Sequence, residues 1–149
     1  MKIIASIFGI GYIGKGGGTV AAIAAALLWY CLKLNIGQQI ILVIVTMILG
    51  VWAGNVVEKD WGKDSSKVVI DEVIGLFIAM LFIPANSIPL LIIGLVLFRF
   101  FDIAKPLGVR RMEQLKGGWG VMMDDVLAGV YANIILQVIV FSKVLEQFL

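Results

Sequence analysis

Val68-Val69-Ile70-Asp71-Glu72-Val73-Ile74-Gly75-Leu76-Phe77-Ile78-Ala79-Met80-Leu81-Phe82-Ile83 is an apolar run with two adjacent acids near one end. A charged side chain inside a membrane helix costs at least ~2.5–3.5 kcal/mol, so it persists only when paired, hydrated or metal-bound. The pattern recurs. Asp102 closes the apolar run Ile88–Ile103, and Asp124-Asp125 lie near the start of Val121–Phe141, in a chain whose mean hydropathy is +1.05. The chain has no His, so these five carboxylates are not half of an imidazole relay. Their natural partners are the nearby Arg99 and Lys105, or a divalent cation that prefers oxygen ligands. The pattern therefore points to a hard-metal site at a membrane surface, and to an enzyme before a channel or a scaffold.

Composition supports the membrane setting. Hydrophobic residues make up 61% and charged residues 15% of the chain, where soluble domains carry about 25% charge. The length suits one helical domain, residues 1–149, and not two. Lys2 followed by an apolar stretch has the look of a signal peptide, but no small-residue cleavage site follows. The expectation is an integral membrane protein with no removed leader. A single cysteine, Cys31, excludes an internal disulfide and any Cys-based metal site. The net charge of +2 is too small to argue for nucleic acid.

Working outward from the opening run, four other stretches span or nearly span a bilayer, whose core takes about 20 helical residues. They are Val20–Leu34, Ile40–Val57, Ile88–Ile103 and Val121–Phe141. The N-terminal stretch Met1–Gly14 is apolar but too short to span, and is expected to be interfacial or re-entrant. The fold expected is an all-α polytopic bundle of about five membrane segments plus that N-terminal segment. The turns Asn35–Gln39 and Pro84–Ser87 carry no charge. Placing them on one side leaves only Lys33 and Lys143 there, and puts the other ten basic residues on the opposite side. That asymmetry marks the basic side as cytoplasmic. A helix beginning near Ser65 or Ser66 then sets Asp71 and Glu72 one to two turns in from the cytoplasmic end. Asp102 and Arg99 fall at a similar depth, and so do Asp124 and Asp125 at the opening of the last helix.

Each cluster has a structural reading beside the functional one. Acids near a helix N-terminus complement its dipole, typically by ~0.3–1 kcal/mol each; this accounts for one acid per helix but not for adjacent pairs flanked by apolar residues. A bound Mg²⁺ sharing their oxygens relieves the repulsion, and metal is the favoured reading. Arg99 and Asp102, at i and i+3, are either a self-neutralising pair or a phosphate clamp beside a metal ligand or nucleophile. Arg110, Arg111 and Lys116 lie in a loop that either obeys topology, touches anionic headgroups, or holds a phosphorylated headgroup. Gly9-x-Gly11-x-x-Gly14 follows no strand of a βαβ unit, so it is a weak dinucleotide signal. The amides opening the Val20 helix either bind an anion or simply pack closely. Without His, and with no phosphate-binding loop after Cys31, hydrolysis is left to metal-activated water or a metal-assisted carboxylate nucleophile.

Three linked motifs carry a family resemblance. They are Val69-Ile70-Asp71-Glu72-Val73-Ile74-Gly75, Phe98-Arg99-Phe100-Phe101-Asp102-Ile103-Ala104-Lys105-Pro106, and Gly117-Gly118-Trp119-Gly120-Val121-Met122-Met123-Asp124-Asp125-Val126-Leu127-Ala128-Gly129. In this order, with the Ile83-Pro84-Ala85-Asn86 turn, they resemble the phosphatidylglycerophosphatase A family over nearly the whole chain. The resemblance implies a Mg²⁺-dependent lipid phosphatase of the bacterial inner membrane, multi-pass, with its site facing the cytoplasm. Its implied reaction removes the terminal phosphate of phosphatidylglycerophosphate to give phosphatidylglycerol, within phospholipid biosynthesis. The match carries Asp71, Glu72, Asp102 and Asp125 as catalytic, and the same four with Asp124 as metal ligands. Arg99, Lys105, Arg110 and Thr19 are carried as substrate-binding. The family has a Pro-Gly-Thr segment near the N-terminus, whereas Lys15-Gly16-Gly17-Gly18-Thr19 lacks the proline, and Thr19 aligns with either of two family positions.

Intramembrane carboxylates also mark ion pathways, so a cation or proton transporter is the alternative. Against it, the acids share one depth, and the other half of each helix is expected to hold no polar residue that would continue a path.

Overall fold

A computed structural model of the protein describes residues 1–63 and 65–147. Its elements are α1 (Lys2–Ala5), a 3-10 turn (Ile10–Ile13), α2 (Gly17–Leu32), α3 (Ile36–Trp61), α4 (Ile70–Met80), α5 (Ile88–Ala104), α6 (Val109–Met112), α7 (Gly118–Phe141) and a final 3-10 turn (Val144–Gln147). Among the described residues there is no strand, so the all-α expectation holds. Two helices, α3 and α7, are long and apolar enough to cross a membrane.

The opening run forms the centre of the bundle. α4 packs against α2, α3, α5 and α7, and eight of its eleven residues are buried. A helix apolar on every side and enclosed by its neighbours is a core element. The surrounding helices are apolar outward as well. Ile41, Ile44, Ile48 and Trp52 of α3 each lie more than half exposed, as do Ile92, Val96 and Phe100 of α5. Contiguous exposed apolar stripes of this extent mark a membrane or protein contact.

Small residues let the helices approach closely. A Cβ on Gly54 would stand 2.9 Å from Gly118 Cα where α3 meets α7, and one on Gly129 would meet Gly75 O at 2.4 Å where α7 meets α4. In lipid, where apolar surface alone does not drive helices together, such close packing supplies the association.

Several expected boundaries move. α4 does not start near Ser65 or Ser66. The Ser65 hydroxyl accepts the Lys67 N–H at 3.3 Å in a local turn, and the Val69 N–H is committed to Ala5 O at 2.9 Å, which stitches this segment to α1. The helix therefore begins at Ile70, with Asp71 and Glu72 in its first turn. It also stops at Met80, so its 11 residues measure about 16 Å. The segment Asn35–Gln39 is not a free turn: Asn35 and Gln38 form a reciprocal capping box that starts α3 at Ile36. α7 begins at Gly118, so Asp124 and Asp125 are its seventh and eighth residues and do not open it.

The expectation that the far halves of the helices lack polar residues is also overturned. Gln39, Thr46, Asn133 and Gln137 lie there, each spent on backbone. The Asn133 amide donates to Ala79 O at 2.9 Å and Leu81 O at 2.8 Å, and Gln137 donates to Leu81 O at 3.4 Å. Gln39 accepts the Phe82 N–H at 3.2 Å and donates to Leu34 O at 3.1 Å. The Thr46 hydroxyl donates to Leu42 O at 2.7 Å. Asn133, Gln137 and Gln39 thereby satisfy the unwound end of α4, the requirement for irregular backbone in an apolar medium. They form no continuous polar path.

Candidate active site

Four helix ends converge at the opposite end of the bundle around a polar cavity of about 440 Å³. α4 brings Asp71 and Glu72 on its first turn, and α5 brings Arg99 and Asp102 on its last turns. Lys105 sits at the α5 C-cap with φ +48°, a left-handed reversal that turns the following chain back over the site. α7 brings Asp124 and Asp125. All seven of these predicted residues line the cavity. Lys15, Gly16 and Gly18, at the start of α2, form another wall.

α2 comes very close. A Cβ at Gly18 would run into the Glu72 carboxylate, so the absence of a side chain there lets that carboxylate lie against the α2 backbone.

The ion pairs cross between helices. The Arg99 guanidinium donates through one nitrogen to both Glu72 and Asp102. The i, i+3 pair expected on α5 thus exists, but it is one arm of a bridge to α4. Lys105 donates to Glu113 and, at 3.0 Å, to Asp124 Oδ2. Burial lowers the Lys105 pKa, but its bonds to Glu113 and Asp124 outweigh that and hold it above the ordinary lysine value. Asp71 Oδ1 accepts the Glu72 N–H at 3.0 Å.

Two carboxylate oxygens stay unsatisfied. Asp124 Oδ1 and Asp125 Oδ2 are buried with no hydrogen-bond partner among the described residues, and Asp125 is only 2% exposed. Orphaned buried acceptors are costly and call for an explanation. Helix-dipole capping does not provide one on α7, because that effect fades within the first turn and these acids lie beyond it. Glu72, Asp102 and Asp125 each offer an oxygen within 4.8 Å of the others. The cavity wall carries six carboxylates against three cations. Clustered acceptor-only oxygens in charge excess fit a hard divalent cation.

Arg110 and Thr19 are exposed and outside the cavity lining. Glu113 and Lys15 line it, although the sequence reading singled out neither for the site. The signal for Glu113 was a lone acid in the basic stretch Arg110–Lys116; the left-handed residues Lys105, Leu107 and Gly108 turn the chain back and bring it over Lys105.

A carboxylate-rich cavity at one end of an apolar helical bundle is the arrangement of an enzyme working at a membrane surface. The family model for phosphatidylglycerophosphatase A matches residues 3–140, and the chain belongs to that family, whose members are phosphoric monoester hydrolases. Relatives named phosphatidylglycerophosphatase A are 36% identical over 140 residues in Haemophilus influenzae (91% of this chain, 86% of the relative) and 34% identical over 140 residues in Escherichia coli (92% and 81%). A Bacteroides thetaiotaomicron protein provisionally named a phosphatidylinositol-3-phosphatase is 43% identical over 144 residues, 91% of each chain. No solved structure matches.

Proposed function

We propose that the protein hydrolyses the terminal phosphomonoester of phosphatidylglycerophosphate to phosphatidylglycerol and phosphate, with Mg²⁺ as cofactor. The observation that carries this reading is the cluster of Glu72, Asp102 and Asp125 oxygens within 4.8 Å of one another, in a chain of this family. Those three would hold the cation, with Asp71 and Asp124 beside them. When bound, the cation supplies Lewis-acid polarisation of the phosphoryl group and activation of the attacking water.

The chain's own residues supply the rest. Arg99 and Lys105 are at present bonded to Glu72, Asp102, Glu113 and Asp124. Lining the same cavity, the guanidinium and the ammonium would also give charge-assisted hydrogen bonds to the oxygens of a bound phosphate. Arg99 Nε, buried without a partner among the described residues, is a further donor for that step. The cavity keeps the reacting phosphate among fixed charges, which favours charge developing in the transition state.

The membrane arrangement belongs to the same proposal. α2, α4 and α5 join α3 and α7 in the bilayer of the bacterial inner membrane, giving five segments, and the basic end carrying the site faces the cytoplasm. The lipid tails then stay in the bilayer while the headgroup reaches the acids.

A second reading keeps the chemistry and changes the headgroup, with phosphatidylinositol-3-phosphate as substrate; the Bacteroides relative favours it. Phosphate release from each lipid by the purified protein separates the two. Faster turnover of phosphatidylglycerophosphate supports the first reading, and preference for the inositol lipid supports the second.

A further inference from the structure

An apolar groove of about 350 Å³ runs along the seam of α2 and α4, closed by α3 and the N-terminal segment, within the ~300–1,000 Å³ range of ligand pockets. Both spaces are lined by α2 and by the N-terminal part of α4. Val69 at the α4 N-cap, with Asp71 and Glu72, lines the polar cavity, while Ile70, Val73 and Phe77 line the groove. On α2, Gly18 lines the polar cavity, while Ala21, Ala25 and Leu28 at helical spacing line the groove. Ala24 also borders it, and alanines there leave a channel that larger side chains would fill.

The groove has little polar character. Its one hydroxyl, on Thr46, is already bonded within α3. Its head-end rim is formed by Ile7 and Phe8, two successive residues in the left-handed region at φ +47° and +53°. That conformation is a genuine outlier for a β-branched residue, and such strain gathers at ligand clamps and active sites. It presents Phe8 88% exposed at the groove mouth.

We infer that this groove holds one acyl chain of the substrate lipid. This deepens the lipid-phosphatase reading and rests on it. The occupant follows from continuity: a lipid whose phosphorylated headgroup sits among the acids has its tails leaving along the bundle, and the α2 face that runs from Gly18 to Leu28 leads one of them into the groove. Lipid tails are as apolar as the groove lining, so burial alone gives no preference over bulk lipid. The function of the groove is positional: a seated chain fixes how far the headgroup reaches into the cavity, and small misplacements of a reacting group cost up to ~10²-fold in rate.

A phosphatidylglycerophosphate analogue with a diazirine midway along one acyl chain tests this in the intact protein. Photolabelling should concentrate on peptides containing Ala24, Leu28 and Leu49, and excess unlabelled phosphatidylglycerophosphate should suppress it about tenfold while phosphatidylcholine does not. Labelling spread over the outward stripes of α3 and α5, or displaced equally by phosphatidylcholine, means bulk lipid covers the groove and overturns the proposal. Filling the groove with Ala24→Leu should raise KM about tenfold for long-chain substrate and leave a dihexanoyl substrate unaffected. Equal loss on both chain lengths also overturns it. Phosphate release by the wild-type protein reports on the reaction alone, so specific labelling without release would sink the phosphatase reading and leave the groove standing.

Discussion

At the scale of the residue, charge identity matters more than shape. Asn keeps the outline of Asp and loses the charge that holds a divalent cation. Asp102→Asn and Asp125→Asn should therefore stay folded while phosphate release falls by at least ~10²-fold, the scale seen when transition-state electrostatics are removed. Lys63→Ala, on an exposed loop outside the cavity, serves as the control and should retain full rate. Near wild-type turnover by both Asn variants would make these acids structural. Glu113→Gln removes one of the two carboxylates bonded to Lys105. Its rate should fall by ~10-fold, as for other groups that orient a functional side chain, and less than for Lys105→Ala. The seven residues that line the cavity were legible in sequence because charge in apolar runs is costly and so conspicuous. Glu113 was not legible, since an acid in a basic loop costs nothing; three left-handed residues and the fold back of α6 determine its place. Arg110 illustrates the converse, a basic residue near the motifs in sequence that is exposed and outside the cavity lining.

At the scale of the element, hydropathy located the apolar runs well and their ends poorly. α5 starts at Ile88 as expected, because Ser87 caps it and Pro89 suits its first turn, and it ends one residue past its expected run, at Ala104. α4 is shorter than its run at both ends, since hydrogen bonds from other elements decide where it stops. Sequence periodicity does not register an Ala5 carbonyl claiming the Val69 N–H or an Asn133 amide claiming Leu81 O. Asn133→Leu keeps the volume and removes that donor from Ala79 and Leu81. It should destabilise the protein by ~1–3 kcal/mol, the penalty of buried carbonyls left unpaired, read as a lowered midpoint of thermal unfolding in detergent. Activity per folded molecule should be preserved, because the change lies at the end of α4 away from the acids. An unchanged midpoint would show that the unwound end is solvated.

At the scale of the whole molecule, the helix ends sort into two layers. The acid layer also holds the Lys2–Asp60 pair at 2.9 Å and Lys67 over the rings of Tyr12 and Trp61, while the far layer is held by uncharged amides. In a Cys31→Ser background, Lys63→Cys should react with an impermeant thiol reagent only from the cytoplasmic side, and Asn86→Cys only from outside. Reaction of both from one side would contradict the five-segment arrangement. The central claim is that clustered carboxylates use a hard cation to release phosphate from a membrane lipid. Its most direct test is phosphate release from phosphatidylglycerophosphate by purified protein, before and after EDTA and again after Mg²⁺ or Zn²⁺ is restored. Activity should vanish with EDTA and return with Mg²⁺ with no need for Zn²⁺, as expected of an all-oxygen ligand set; full turnover in the presence of chelator would contradict the account.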